Sequence, residues 1–268
     1  MTTTSVLPFL ESKLDDKATT LRGRMFRHGY VFVRGAVPKD VVQRVRDTVL
    51  GFCAEAGWLD EARARADGYA NLNYPPTTEG KQDYFAVYRK VLKDAEFHAL
   101  PEHPNLMSVA AKLLDHPVPL VHPRRIGRIT FPNFEVATTP AHQDHFYIRG
   151  AVETYSCWVP LGEIPMELGG LSVWPGSHRL GFREHDKVSA GAVGGRGVDV
   201  DELALPDAPV WHTTHFQPGD ALFFHAYTVH KANPNLSGDR LRLSTDNRYQ
   251  RPNEKIEPGA LLPHYNLN

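Results

Sequence analysis

Pro218-Gly219-Asp220-Ala221-Leu222-Phe223-Phe224-His225 reads as a tight turn running into an apolar strand. His230 follows closely. From Arg240 to Tyr249 the sequence alternates strictly, with Leu241, Leu243 and Thr245 on one face and Arg240, Arg242, Ser244, Asp246 and Arg248 on the other. A period of two belongs to a half-buried strand, so Arg242 and Ser244 share a surface. Similar short segments separated by Gly/Pro turns recur from Pro117 onward: Ile126 to Phe131, Tyr155 to Leu161, Leu171 to Trp174, Val210 to Phe216, Ala221 to His225 and Leu241 to Tyr249. Many short strands with this punctuation point to a mainly β sandwich or jelly roll, two sheets forming a cup over about residues 117–250.

The N-terminal third is helical in pattern. After Asp40, Val41, Val42, Val45, Val49, Leu50, Phe52 and Cys53 recur at helical spacing, and Gly57 offers a stop. Further helices are expected over Asp83 to Lys93 and Asn105 to Leu114, supporting one sheet. Asn71 to Gly80 reads as an irregular loop, either bordering a pocket or serving as a surface connection. Gly181 to Asp207, with Gly191, Gly194, Gly195 and Gly197 close together, breaks the strand pattern and reads as a lid or a flexible linker.

At 268 residues the chain is long enough for a sizeable core and is expected to be one domain, residues 1–268. A hydrophobic content of 41%, a charged content of 23% and a formal net charge of −1 describe a soluble globular protein with no electrostatic case for nucleic acid or an anionic membrane. The expected partner is a small-molecule substrate. Cys53 and Cys157 alone make no disulfide scaffold, and Met1-Thr2-Thr3-Thr4-Ser5 lacks a basic region followed by an apolar stretch. A cytoplasmic protein is the expectation.

The chemistry lies in His142-Gln143-Asp144 and in His230. In a chain with 14 His and 31 acidic residues such a triplet arises easily by chance, so its weight comes from the strands downstream. Two imidazoles and one carboxylate suit one face of an octahedral Fe(II), leaving positions open for a chelating co-substrate and dioxygen. If His142 to Asp144 is a strand, alternation points both ligands one way and Gln143 the other. Arg242 with Ser244 suits a distal carboxylate, through a two-pronged guanidinium contact and a hydroxyl. His145, His212, His215 and His225 are competing histidines of lower weight, His145 being expected to project opposite to Asp144. His178, in Pro175-Gly176-Ser177-His178, reads as a turn residue. Tyr147, Trp158 and Trp174 are either core or pocket aromatics.

These residues resemble the phytanoyl-CoA dioxygenase family of Fe(II)/2-oxoglutarate-dependent oxygenases, from about Gly29-Tyr30-Val31 through Tyr249. The most specific stretches are Pro140-Ala141-His142-Gln143-Asp144, Trp158-Val159-Pro160-Leu161, Gly169-Gly170-Leu171 with Pro175-Gly176-Ser177-His178, Pro218-Gly219-Asp220, and His230 through Tyr249. The resemblance implies a double-stranded β-helix (jelly roll, cupin-like) with the metal between its sheets. It makes His142, Asp144 and His230 the iron ligands and Arg242, helped by Ser244, the anchor for the C5 carboxylate of 2-oxoglutarate. Arg125 becomes the residue for the C1 end or the substrate. One departure stands out: the family often places its arginine one position nearer the distal histidine, whereas Arg242 lies twelve residues after His230 and Arg240 lies ten after. Ser244, which completes an Arg-x-Ser pair, favours Arg242.

The implied cofactors are Fe(II), 2-oxoglutarate and O2, with ascorbate as the reductant in vitro. The implied reaction is hydroxylation of a C–H of a small secondary metabolite with decarboxylation of 2-oxoglutarate to succinate. Asp144 stands where related halogenases carry a small residue, which favours hydroxylation over chlorination. Desaturation, cyclisation and a non-catalytic β-cup binding protein are the alternatives. A zinc-dependent hydrolase on a similar cup would need neither 2-oxoglutarate nor oxygen. No motif distinguishes a terpenoid, polyketide, amino-acid derivative or fatty acyl substrate.

Overall fold

The computed structural model describes residues 6–188, 195–203 and 209–265. In chain order the strands are β1 (Val6–Leu7), β2 (Glu11–Ser12), β3 (Tyr30–Val33), β4 (Leu120–Val121), β5 (Ile126–Thr130), β6 (Tyr155–Pro160), β7 (Leu171–Val173), β8 (Lys187–Val188), β9 (Arg196–Gly197), β10 (Trp211–His212), β11 (Ala221–His225), β12 (His230–Ala232) and β13 (Arg242–Gln250). The larger sheet runs β2-β3-β11-β6-β13-β4, with β5 also paired to β13; the smaller runs β1-β10-β7-β12. Together they form the double-stranded β-helix.

Alternation distributes each central strand between two cores. Val31, Val33, Cys157, Val159, Ala221, Phe223, Leu241 and Leu243 face a layer of helices. Tyr30, Phe32, Trp158, Leu222 and Phe224 face the smaller sheet, where they meet Phe9, Val173 and Phe216. Burial on both faces explains why β3 and β11 read as unbroken apolar runs. On β13 the inward face is polar instead, and Arg242, Ser244, Asp246 and Arg248 point into the cup that these packed side chains frame.

The helical layer comprises α1 (Ala18–His28), α2 (Lys39–Glu55), α3 (Gln82–Val91), α4 (Ala95–Ala99) and α5 (Pro104–Leu114). The spacing after Asp40 did its work: Val42, Val45, Val49, Leu50 and Cys53 form the buried stripe of α2. Gly57 beyond its end takes φ +73°. α3 and α5 fall where Asp83 to Lys93 and Asn105 to Leu114 were expected. Unforeseen were α1, which buries only Leu21 and Met25, and the short α4, whose Asp94 caps the Phe97 amide.

The expected strand Val210 to Phe216 is only Trp211–His212 plus a separate bridge from Phe216 to Ile164. Between them Thr213 donates its amide to Leu7 of β1 and its hydroxyl to Leu171 of β7. Asn71 to Gly80 is the irregular loop expected. Within Gly181 to Asp207, residues 189–194 and 204–208 (Gly191 and Gly194 among them) lie outside the described residues. No described helix is long and apolar enough to cross a membrane.

The Pro218-Gly219-Asp220 turn locks β11 to the helices. Gly219 has φ +90°, and its carbonyl accepts from the Val37 amide at 2.9 Å. Asp220, buried, accepts from the Gly35 and Gln217 amides and from Arg34. A Cβ at position 219 would lie 2.1 Å from the Val37 carbonyl oxygen. Strain in a left-handed residue plus this clash is expected to make Gly219→Ala cost about 2 kcal/mol or more. In thermal denaturation the midpoint should fall by several degrees; an unchanged midpoint would show that this turn does not hold β11.

Candidate metal centre

His142 sits in an isolated bridge against the first residue of β12: the His142 amide donates to the His230 carbonyl at 2.9 Å and the His230 amide returns to His142 at 3.0 Å. Two distant histidines are thereby placed side by side by backbone bonds alone. The expectation that one strand carries both His142 and Asp144 is corrected here. The strand-like geometry ends at His142, and Asp144 (φ −58°, ψ −32°) opens the short helix α6 (His145–Ile148). The cause is Gln143, which is fully buried: its side-chain amide donates to the Gly181 and Tyr227 carbonyls and its oxygen accepts from the Arg183 amide. Its backbone amide donates to His185. A turn, not alternation, brings Asp144 beside His142.

His142, Asp144 and His230 are buried, and one ligand atom of each lies within 4.8 Å of the others. Asp144 Oδ1 is 3.5 Å from His142 Nε2 and 3.7 Å from His230 Nε2. Each imidazole turns its other nitrogen to a backbone carbonyl, His142 Nδ1 to Pro140 at 2.8 Å and His230 Nδ1 to Thr228 at 3.0 Å. A carbonyl only accepts, so Nδ1 carries the proton and Nε2 presents its lone pair toward the centre. Burial and the neighbouring His142 lower His230 to about 3, keeping it neutral and ligating. Burial works against ionisation of Asp144, but the Arg248 guanidinium beside it outweighs this and holds the carboxyl well below the usual range. Its second oxygen accepts from Arg248 Nη2 at 3.0 Å and from the Ser156 hydroxyl, leaving Oδ1 aimed at the histidines. This donor set fits a divalent transition metal.

Beyond the triad, Arg242 is buried at the far end of the same cavity. It donates to the Gly169 carbonyl and the Thr130 hydroxyl, both at 2.8 Å, while its Nε has no partner. Burial lowers its pKa to about 10, which still leaves it a cation. The Ser244 hydroxyl, on the same face, is also buried and unpartnered. An unneutralised guanidinium beside an orphaned hydroxyl is what an incoming carboxylate would satisfy. Arg240 lies outside the cavity, partly exposed and 3.8 Å from Glu167.

Arg125 does not enter the site. Its guanidinium bonds to the His98 carbonyl and to Glu102, against the helical layer. The inward parity of this segment belongs instead to Arg124, Ile126, Arg128 and Thr130, which line the cavity. Missed at the sequence level were the roles of Arg248 and Ser156 in holding Asp144. The strict alternation of β13 already put Arg248 on the face of Arg242, but Ser156 carried no signal. Also unforeseen was Arg128, bridging Glu79 at 2.8 Å and Asp246 at 2.9 Å.

The competing histidines are otherwise engaged. His212 pairs with the Tyr30 hydroxyl, His215 with Glu163, and His145 packs edge-on against Phe182 and Tyr227. His178, half-buried, contacts the Phe26 carbonyl as a turn residue. Trp158 is both core and inner wall, Tyr147 lines the outer chamber, and Trp174 packs beside Trp211.

Two connected spaces share His142, Asp144, Arg242 and Arg248 as walls, and His230 lines the inner one. The inner, about 40 Å³, is also lined by Trp158 and Leu171. The outer, about 340 Å³, is bounded by Thr78 and Glu79 of the Asn71 to Gly80 loop, by Tyr147 and Ile148 of α6, and by His264 and Tyr265 near the C-terminus.

Comparison with known proteins agrees with this arrangement. The chain is 29% identical over 249 residues to 1-deoxypentalenic acid 11-beta-hydroxylase of Streptomyces exfoliatus, covering 88% of this chain and 82% of that protein. It is 25% identical over 245 residues to peroxisomal phytanoyl-CoA dioxygenase of Mus musculus, covering 83% and 66% respectively. Among solved structures, the carbocyclase SnoK from nogalamycin biosynthesis superposes with a TM-score of 0.62 at 19% identity over 93% of this chain and 90% of that one. The epimerase SnoN, solved in complex with Fe3+, alpha ketoglutarate and nogalamycin RO, gives 0.61 at 23% identity over 90% and 86%. The sequence pattern of phytanoyl-CoA dioxygenase (PhyH) matches residues 25–243, and the chain belongs to that family of dioxygenases.

Proposed function

We propose that this chain is a single-domain Fe(II)/2-oxoglutarate-dependent hydroxylase of a small metabolite, with His142, Asp144 and His230 holding the iron and Arg242 and Ser244 holding the C5 carboxylate of 2-oxoglutarate. The observation that carries this reading is the pairing of a three-atom donor set with a buried, unneutralised guanidinium across one narrow cavity. When bound, iron and 2-oxoglutarate supply the oxidation of a C–H bond by dioxygen, with loss of CO2 and formation of succinate.

The protein's own residues set position and access. The carbonyls of Pro140 and Thr228 fix both imidazole tautomers. Arg248 and Ser156 fix the rotation of Asp144. Arg242, already braced by Gly169 and Thr130, offers its remaining N–H groups to the co-substrate without rearrangement. Trp158 and Leu171 give the inner space an apolar wall, while the outer chamber is of a size for a compact organic substrate. Asp144 as a third protein ligand favours hydroxylation over halogenation, and the likeness to 1-deoxypentalenic acid 11-beta-hydroxylase supports the same outcome.

Two measurements test this reading. Oxygen-dependent succinate formation, followed by chromatography, should be present in the wild type and fall to background in His142→Ala and Asp144→Ala; undiminished succinate in both variants would refute the ligand assignment. For the co-substrate, Arg242→Gln removes one member of a charge-assisted pair and should weaken 2-oxoglutarate binding at least thirtyfold, from a loss of about 2 kcal/mol or more. Arg240→Gln, by contrast, should stay within about threefold, as for an exposed ion pair. The opposite order in anaerobic calorimetric titrations would transfer the anchor to Arg240.

A further inference from the structure

Among the described residues, the charges around the cavity do not cancel. Its walls carry Arg124, Arg128, Arg242 and Arg248 against Glu79, Asp144 and Asp246. His264, also in the wall, is lowered to about 2, first by burial and then by Arg128, Arg124 and Arg248, and so stays neutral. On the reading proposed above, a ferrous ion brings two positive charges and 2-oxoglutarate two negative, so the loaded site keeps the same excess of one positive charge.

That excess has a location. Arg128 lies between Glu79 and Asp246, and Arg242 is reserved for the co-substrate. Arg248 spends one nitrogen on Asp144, but its Nε and Nη1 are buried without a partner although its side chain is only 5% exposed. Arg124 forms no ion pair with a carboxylate among the described residues, where its guanidinium donates to the Gly259 carbonyl at 3.5 Å and Glu79 acts on it only from a distance. Backbone pairing sets the two arginines together, since the His122 amide donates to the Arg248 carbonyl and Asp246 pairs with Ile126, leaving Arg124 in the loop between. Burial and the nearby Arg248 both depress Arg124. Two like charges side by side in a partly desolvated wall are unfavourable unless an anion joins them.

We propose that Arg124 and Arg248 form an anion subsite at the Asp144 end of the outer chamber, and that the substrate is a compact, largely apolar molecule bearing a single carboxylate. The rest of the wall matches such a body, with Ile126, Ile129, Ala137, Ile148 and Ala232 facing it. Held at this end, the carboxylate directs the apolar part of the substrate across the donor triad.

The proposal rests on the cofactor reading, and the experiment separates the two. Adamantane-1-carboxylate and its neutral carboxamide are titrated calorimetrically into wild-type and Arg124→Gln protein, loaded anaerobically with Fe(II) and saturating 2-oxoglutarate. The carboxylate should bind about tenfold tighter than the carboxamide. In Arg124→Gln that preference should shrink to within about threefold, while the visible charge-transfer band of iron with 2-oxoglutarate persists. Equal binding of the two probes, a preference undiminished in Arg124→Gln, or a chamber that takes neither probe would overturn the subsite. Absence of the band in the wild type would instead refute the cofactor reading. A carboxylate preference lost in Arg124→Gln but kept in Arg242→Gln would then still establish the subsite.

Discussion

The structure turns on a carboxylate buried where it would otherwise be costly. Asp144 is almost fully enclosed, and an ionised carboxyl in that position forfeits several kcal/mol of hydration unless it is paired and hydrogen-bonded. Arg248 and Ser156 satisfy one oxygen, and the imidazoles of His142 and His230 flank the other. A cation bound among these three donors would complete the compensation. The same arrangement explains why the cup interior is polar along β13 and at Arg128, Thr130 and Ser156 of the strands beside it, while Trp158, Leu222 and Phe224 meet the smaller sheet through an apolar core. Every polar side chain there either neutralises a neighbour or awaits a ligand.

Rigidity around this group comes from backbone pairing across long sequence separations. The His142–His230 bridge ties the loop before α6 to the smaller sheet, and Ser156 and Arg248 are register partners in the larger one. Asp144 thus bonds to two adjacent strands of one sheet while its histidine neighbours hang from the other. The donor triad spans the gap between the sheets, so its geometry depends on their packing. The aromatic cluster of Phe9, Tyr30, Phe32, Trp158 and Phe216 sets that spacing. The outer chamber has a different origin. Its distinctive walls come from the Asn71 to Gly80 loop, from α6 and from residues near the C-terminus. The SnoK carbocyclase and SnoN epimerase share this scaffold, so one fold serves proteins named for different reactions.

Much of this was legible in the sequence, and what was not has identifiable causes. Period-two alternation placed Arg242, Ser244 and Arg248 on one face of β13, and the apolar run of β11 announced a strand buried on both sides. Resemblance to a known family joined His230 to His142 and Asp144, which no local pattern could do, because the bridge between them spans the length of the fold. Alternation failed where the backbone leaves the strand. It assigned Asp144 to the strand of His142, whereas buried Gln143 turns the chain, and it left the parity of Arg125 open in a segment whose regular pairing starts only at Ile126. α1 escaped notice because two buried side chains make too narrow a stripe. The anion-seeking character of Arg124 was invisible for another reason: it follows from which arginines lack a partner, and partners are known only in three dimensions.

The account's central claim is that one ion is shared by three side chains beside a cationic clamp. Anomalous diffraction at the iron edge, from crystals grown anaerobically with Fe(II) and 2-oxoglutarate, tests it most directly. A single anomalous peak in contact with His142 Nε2, Asp144 Oδ1 and His230 Nε2, with a carboxylate of 2-oxoglutarate against Arg242, is the result expected. A peak elsewhere, or density for 2-oxoglutarate that leaves Arg242 without an anion, would contradict it.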